Sequence, residues 1–201
     1  MMSRSLVPVA LMLALAFTSG CRHGADSSSF SFSGSISSTD AVMGAVTEGD
    51  RAGVFVAGGP TSLDTMTRWF EGDAAELETG IEKDGWIVDA TRNEAVLGKP
   101  LIGQLVSPAN ETYSFSLATA TGGTIEGLYS TLDAGCVTGV VVRATLPGQP
   151  PELQGVWCSS TGAIDAVAPV STPVALEDGA ITISVDAPAG VRELQVRPYL
   201  P

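Results

Sequence analysis

From about Asp40 onward, apolar and polar residues alternate with a period close to two, a pattern that predicts strands with opposite faces of different character. Tyr113, Phe115 and Leu117 fall on one side of such a run, and Thr112, Ser114 and Ser116 on the other. Ile181, Ile183 and Val185 repeat the arrangement around Thr182 and Ser184. Further strand-length runs cover 52–57, 85–90, 123–129, 137–144 and 153–158, each rich in β-branched or aromatic residues and bounded by Gly, Pro, Asn or Asp. Residues 180–185 and 191–196 read as a closing hairpin joined by Asp186-Ala187-Pro188-Ala189-Gly190. Turn signals such as Gly58-Gly59-Pro60, Ala109-Asn110, Gly122-Gly123 and Asp178-Gly179 punctuate the runs at the roughly 8–12-residue spacing of all-β folds. The expected fold is therefore all-β, an antiparallel meander forming a small barrel or sandwich. Helical spacing occurs only at Leu63, Met66 and Phe70, and Gly72 interrupts it, so at most one short helix is expected.

Four of the apolar runs carry an internal glycine: Gly103, Gly127, Gly139 and Gly155. Glycine inside a strand permits close backbone approach or a bulge, and both help a sheet to coil toward closure.

The first 39 residues have a different composition. Residues 1–20 contain Arg4 and an apolar run from Leu6 to Phe17. A run of about 12 residues is well short of the roughly 20 that a spanning helix needs, and reads as the core of a secretory signal. The sequence Thr18-Ser19-Gly20-Cys21 that follows resembles the lipobox of bacterial lipoproteins, with Thr18 where that family most often has leucine. The resemblance implies that the Cys21 thiol is joined to diacylglycerol, that the leader is cut before it, and that the new amino terminus is acylated by a fatty acid such as palmitate. Arg22 stands where the inner-membrane retention signal would place Asp, so outer-membrane or surface placement is expected. A competing cut at Ala14-Leu15-Ala16 would instead release a soluble protein beginning at Phe17. Residues 21–39 are rich in Ser and Gly and read as a flexible tether with a coil dimension of about 23 Å. Phe30 and Phe32 alternate with serine there, so a strand start is the open alternative. Residues 40–201 form the expected single β-rich domain.

Charge narrows the partners. The formal net charge is −12, with no basic run, which argues against nucleic acid and against polybasic adhesion to anionic lipid. A covalent lipid anchor is then the expected membrane link. With Cys21 lipidated, Cys136 and Cys158 remain as an even pair on neighbouring predicted strands, and a disulfide is expected. The sole histidine, His23, lies in the tether, which removes the Ser-His-Asp route and the common zinc site.

Carboxylates gather at Glu71, Asp73, Glu76, Glu78, Glu82, Asp84 and Asp89. A solvated acidic face is the simpler reading, because the D-x-D-x-D-G spacing of a calcium loop is missing. Trp69, Trp86 and Trp157 are candidates for a ligand or contact surface, with core packing as the plainer role. Gly155-Val156-Trp157 resembles the Gly-x-Trp of lipocalins, although it comes late in the chain. Asn110-Glu111-Thr112 has the form of a glycosylation sequon and reads as a turn. No catalytic residue, metal site or cofactor is expected. The function expected is that of an envelope lipoprotein with a non-catalytic β domain that binds a protein or small molecule or serves as structure. The alternatives are a lipocalin-like carrier of a hydrophobic ligand and a carboxylate-dependent hydrolase.

Overall fold

Short antiparallel strands joined by tight turns make up nearly all of the computed structural model, which describes residues 29–92, 98–120, 124–133, 136–144, 149–158, 164–167, 169, 171–175, 178–187 and 190–201. One sheet comprises β1 (Ser29–Ser35), β2 (Val42–Glu48), β3 (Arg51–Ala57), β4 (Arg68–Asp73), β5 (Ile81–Lys83), β6 (Trp86–Arg92), β7 (Leu101–Val106) and β8 (Thr112–Thr119). Its strand order among the described residues is β4-β3-β2-β1-β8-β7-β6-β5. Two meanders are thus joined where β1 pairs with β8, and the sheet curls into a nearly closed barrel whose free edges are β4 and β5. The gap is filled by a 3-10 turn at Glu76–Glu78, whose Leu77 is buried, and by Ile81 lying against Gly72.

The second sheet comprises β9 (Gly127–Asp133), β10 (Cys136–Arg143), β11 (Glu152–Cys158), β12 (Ile164–Ala166), β13 (Val174–Ala175), β14 (Ile181–Ala187) and β15 (Gly190–Pro198), in the order β12-β11-β10-β9-β15-β14-β13. It forms a half-barrel with short strands at both edges. The predicted closing hairpin is β14 and β15, paired from Ile181↔Val196 to Ala187↔Gly190, and it joins the sheet through β15 and β9. The helical signal shrinks to α1 (Leu63–Met66), while Arg68–Asp73 pairs with β3 as a strand instead.

Three apolar clusters hold these sheets. Phe32, Met43, Val54, Phe70, Leu105 and Phe115 help to fill the barrel interior, and Val140, Trp157, Ile183 and Val196 belong to the half-barrel core. The third is a seam in which Val42, Val46 and Phe55, on the outer face of β2 and β3, meet Leu128, Val141 and Val156. Strands β2, β3 and β10 are therefore buried on both faces, so they read as nearly continuous apolar runs. Strand β8 is covered on one face only and keeps the strict alternation.

The Ser-rich segment needs a correction: residues 29–35, assigned by composition to the tether, are a barrel strand. Phe30 and Phe32 point into the barrel core, and Ser31 and Ser35 on the other face meet the half-barrel. Ser31 Oγ accepts from the Leu128 N–H at 3.3 Å, and Ser35 Oγ accepts from Arg143. Composition misleads here because a strand needs only one apolar face, and the partner sheet gives the other face its hydrogen bonds.

Candidate functional site at the barrel mouth

In an up-and-down meander every second connection lies at the same end. The β1–β2, β3–β4, β5–β6 and β7–β8 connections therefore share one end of the barrel. A cleft of about 640 Å³ opens there, lined by Asp40, Met66, Trp86, Glu111 and Tyr113 together with a rim of Ser and Thr hydroxyls. The volume lies in the range of small-molecule sites.

Asp40 organises the rim. Its carboxylate accepts from the Thr61 N–H at 2.7 Å, the Thr61 hydroxyl at 2.6 Å and the Ser62 hydroxyl at 2.5 Å. These donors favour the charged form and hold the Asp40 pKa down at about 2, the Ser62 hydroxyl contributing most. Ser62 does not cap α1 with its side chain; its Oγ accepts from the Gly59 N–H at 3.0 Å while donating to Asp40. Gly59 is required by this arrangement, since a Cβ there would come within 2.6 Å of the Asp40 carboxyl carbon. The half-barrel also reaches the mouth: the Gln154 side-chain amide on β11 donates to the Asp40 and Ala57 carbonyls, each at 2.9 Å.

Two aromatic rings share the mouth with Asp40. Trp86, at the start of β6, and Tyr113, on β8, have near-parallel rings with centroids 6.3 Å apart. The Arg68 guanidinium lies over the Trp86 ring at 4.2 Å and donates to the Met66 and Thr65 carbonyls. Burial draws the Arg68 pKa down, opposed by the nearby Asp84 carboxylate. The Tyr113 hydroxyl donates to Glu111 at 2.8 Å, a bond that, ahead of burial, pushes its pKa up.

Comparison with known protein families, curated proteins and solved structures gives no match.

The structure separates the three tryptophans. Trp86 alone lines the mouth. Trp69 sits in the seam, stacked on Phe55 at 4.5 Å and beside Tyr199 at 4.8 Å. Trp157 is buried in the half-barrel core, with Arg192 over its ring at 5.6 Å. The Gly-x-Trp at Gly155 thus belongs to the half-barrel and not to the barrel. Cys136 and Cys158 are disulfide-bonded across β10 and β11 with a Cα–Cα distance of 5.8 Å. Cys21 and the leader lie outside the described residues.

The carboxylates of residues 71–89 are dealt out along β4, the 3-10 turn, β5, the β5–β6 turn and β6, and Glu71 accepts from the Tyr199 hydroxyl at 2.6 Å. Among the described residues no group of three or more His, Cys, Asp or Glu side chains stands together as a metal site would require. Asp40, Arg68 and Glu111 were not legible as site residues. The one local signal was the same-face pair Glu111 and Tyr113 beside a turn, and Asp40 meets Thr61 and Ser62 only through the sheet.

Proposed function

We propose that this chain is an exported, lipid-anchored binding protein without catalytic activity, and that the barrel mouth is its binding surface. The observation that carries this reading is the mouth cleft, where aromatic rings, Met66 and two carboxylates converge on one open end of a rigid barrel. The direction of β1 adds to it. Ser29 begins that strand and Ser35 leads into the mouth loops, so β1 starts at the end opposite the mouth. Cys21 stands eight residues before Ser29, a span of at most about 28 Å of extended chain. On this reading an anchor at Cys21 keeps the barrel near the lipid, with the start of β1 toward the membrane and the mouth toward solutes and partners.

A second reading, a carrier of a hydrophobic ligand, draws on the eight-stranded, nearly closed meander. Phe32, Leu105, Phe115 and Leu117 occupy the barrel interior, so such a ligand would have to be held at the mouth.

Intact-mass analysis of the chain expressed in a bacterium, beside Cys21→Ser, tests the anchor. A diacylglycerol-sized increment lost in the variant is the expected result, and an unmodified chain starting at Phe17 would overturn it. A label at Ser38 should then escape a quencher buried in the bilayer, while a label at Asp50, on the opposite end, should be quenched more. The reverse order would remove the mouth from the role of outward binding surface.

A further inference from the structure

Resting on the mouth as a binding surface, we infer that its ligand is a small organic cation of the alkylammonium or quaternary ammonium kind. The cleft lining carries two charged residues, Asp40 and Glu111, both negative, and no Lys or Arg. Arg68 is not in the lining, but its guanidinium rests on Trp86 and donates to the Thr65 and Met66 carbonyls at the cleft wall, and the nearby Asp84 carboxylate offsets its charge. A ligand entering the cleft therefore meets a negative field.

The state of the two carboxylates selects among cations. Asp40 already accepts three hydrogen bonds from Thr61 and Ser62, and Glu111 accepts one from Tyr113. Asp40, engaged in this way, offers charge more than vacant acceptor sites, while Glu111 accepts through one oxygen only. A guanidinium, which needs planar bidentate acceptors, is poorly matched to Asp40. An ammonium clothed in methyl or methylene groups needs no such acceptors. It needs negative potential together with soft apolar and aromatic surface, and Trp86, Tyr113 and Met66 supply that surface. The barrel already holds one cation in this manner, since Arg68 rests on the Trp86 ring. The surrounding hydroxyls suit a polar body attached to the cation.

The test uses choline and its uncharged isostere 3,3-dimethylbutan-1-ol, titrated into the full chain while the indole N–H signals are followed by NMR. Trp86→Phe assigns the Trp86 signal. Choline is expected to shift that signal and those of Tyr113 saturably at about 10 mM, ten times the Kd of a millimolar ligand, and to leave the Trp69 and Trp157 signals in place. The isostere should bind at least about tenfold more weakly. Glu111→Gln, which keeps an acceptor for Tyr113, should weaken choline by about two- to fivefold, the range of a partly exposed charge pair. Equal binding of choline and the isostere at the mouth would overturn the cation inference and leave the binding surface standing. Silence of the Trp86 signal toward both, in a protein whose three indole signals are dispersed as in a folded chain, would overturn the inference and count against the mouth itself.

Discussion

The barrel and the half-barrel are built from the same material, short antiparallel strands in meander order, and they manage their edges in opposite ways. In the barrel, β1 meets β8 and the gap between β4 and β5 is filled by Leu77 and Ile81, so its core is enclosed by its own chain. Among the described residues the half-barrel ends on β12 and β13, strands of three and two residues, and does not close. What it lacks in closure is supplied by a disulfide between β10 and β11 and by the seam against the barrel. An open sheet of this kind depends on a neighbour to cover its second face, whereas a closed barrel does not.

Glycine makes the seam close. A Cβ on Gly139 would come within 2.6 Å of Phe55 and 2.8 Å of Trp69, so these barrel residues lie directly on the β10 backbone. On the barrel side, Gly44 leaves room for Leu128. The Tyr199 ring lies over Gly53, and its hydroxyl is tied to Glu71. Burial, and then that hydrogen bond, raise the Tyr199 pKa above its ordinary value.

The sharpest way to break the comparison is to empty the seam and the barrel core separately. Phe55→Ala and Phe115→Ala each remove a buried aromatic ring and should each cost about 3–5 kcal/mol. Hydrogen exchange should show protection lost first in β9–β11 for Phe55→Ala, and in β7 and β8 for Phe115→Ala. The same loss everywhere in both variants would mean that the two sheets unfold as one unit, and the contrast would fail.

Replacing Cys136 and Cys158 together by Ser should cost about 3 kcal/mol, from the 22-residue separation that the bridge spans. The loss should be read in the half-barrel, as protease cleavage around β11 with the barrel left intact. Prior cleavage in the barrel would reverse the assignment.

Asp40→Ala should cost about 1–2 kcal/mol, discounted for the exposure of its rim site, and should leave the half-barrel core unchanged. The sign with pH follows from its depressed pKa. The Asp40 contribution is present above the ordinary carboxylate value of 3.8 and is lost as pH falls toward about 2. Wild type and Asp40→Ala should therefore converge in stability over that window, and a constant difference down to pH 2 would remove the carboxylate as the cause.

The smallest effect is expected at the seam's polar edge. Tyr199→Phe deletes the hydrogen bond to Glu71 and keeps the ring on Gly53, so about 0.5–1 kcal/mol should be lost in a urea titration. A loss as large as that of Phe55→Ala would mean that the hydroxyl, and not the ring, joins the C-terminal segment to the barrel.

Much of the fold was legible in the chain itself. Period-two patterning at Thr112–Thr119 and Ile181–Ala187 specifies strands because each has one dry face, and the turn residues after them specify reversals. The spacing of Cys136 and Cys158 on adjacent strands fits a bridge for the same local reason. Tertiary structure alone decided that Ser29–Ser35 is a strand, because its serines find partners on β9 and β10 that lie far away in sequence. It also divided the tryptophans among mouth, seam and half-barrel core, since sheet order, which sets the position of a side chain, is fixed by which strands meet. The mouth itself came from the same source. Asp40 and Glu111 stand on two separate connections and Trp86 at the start of β6, and only the curling of one sheet until β1 met β8 gathered them at one end.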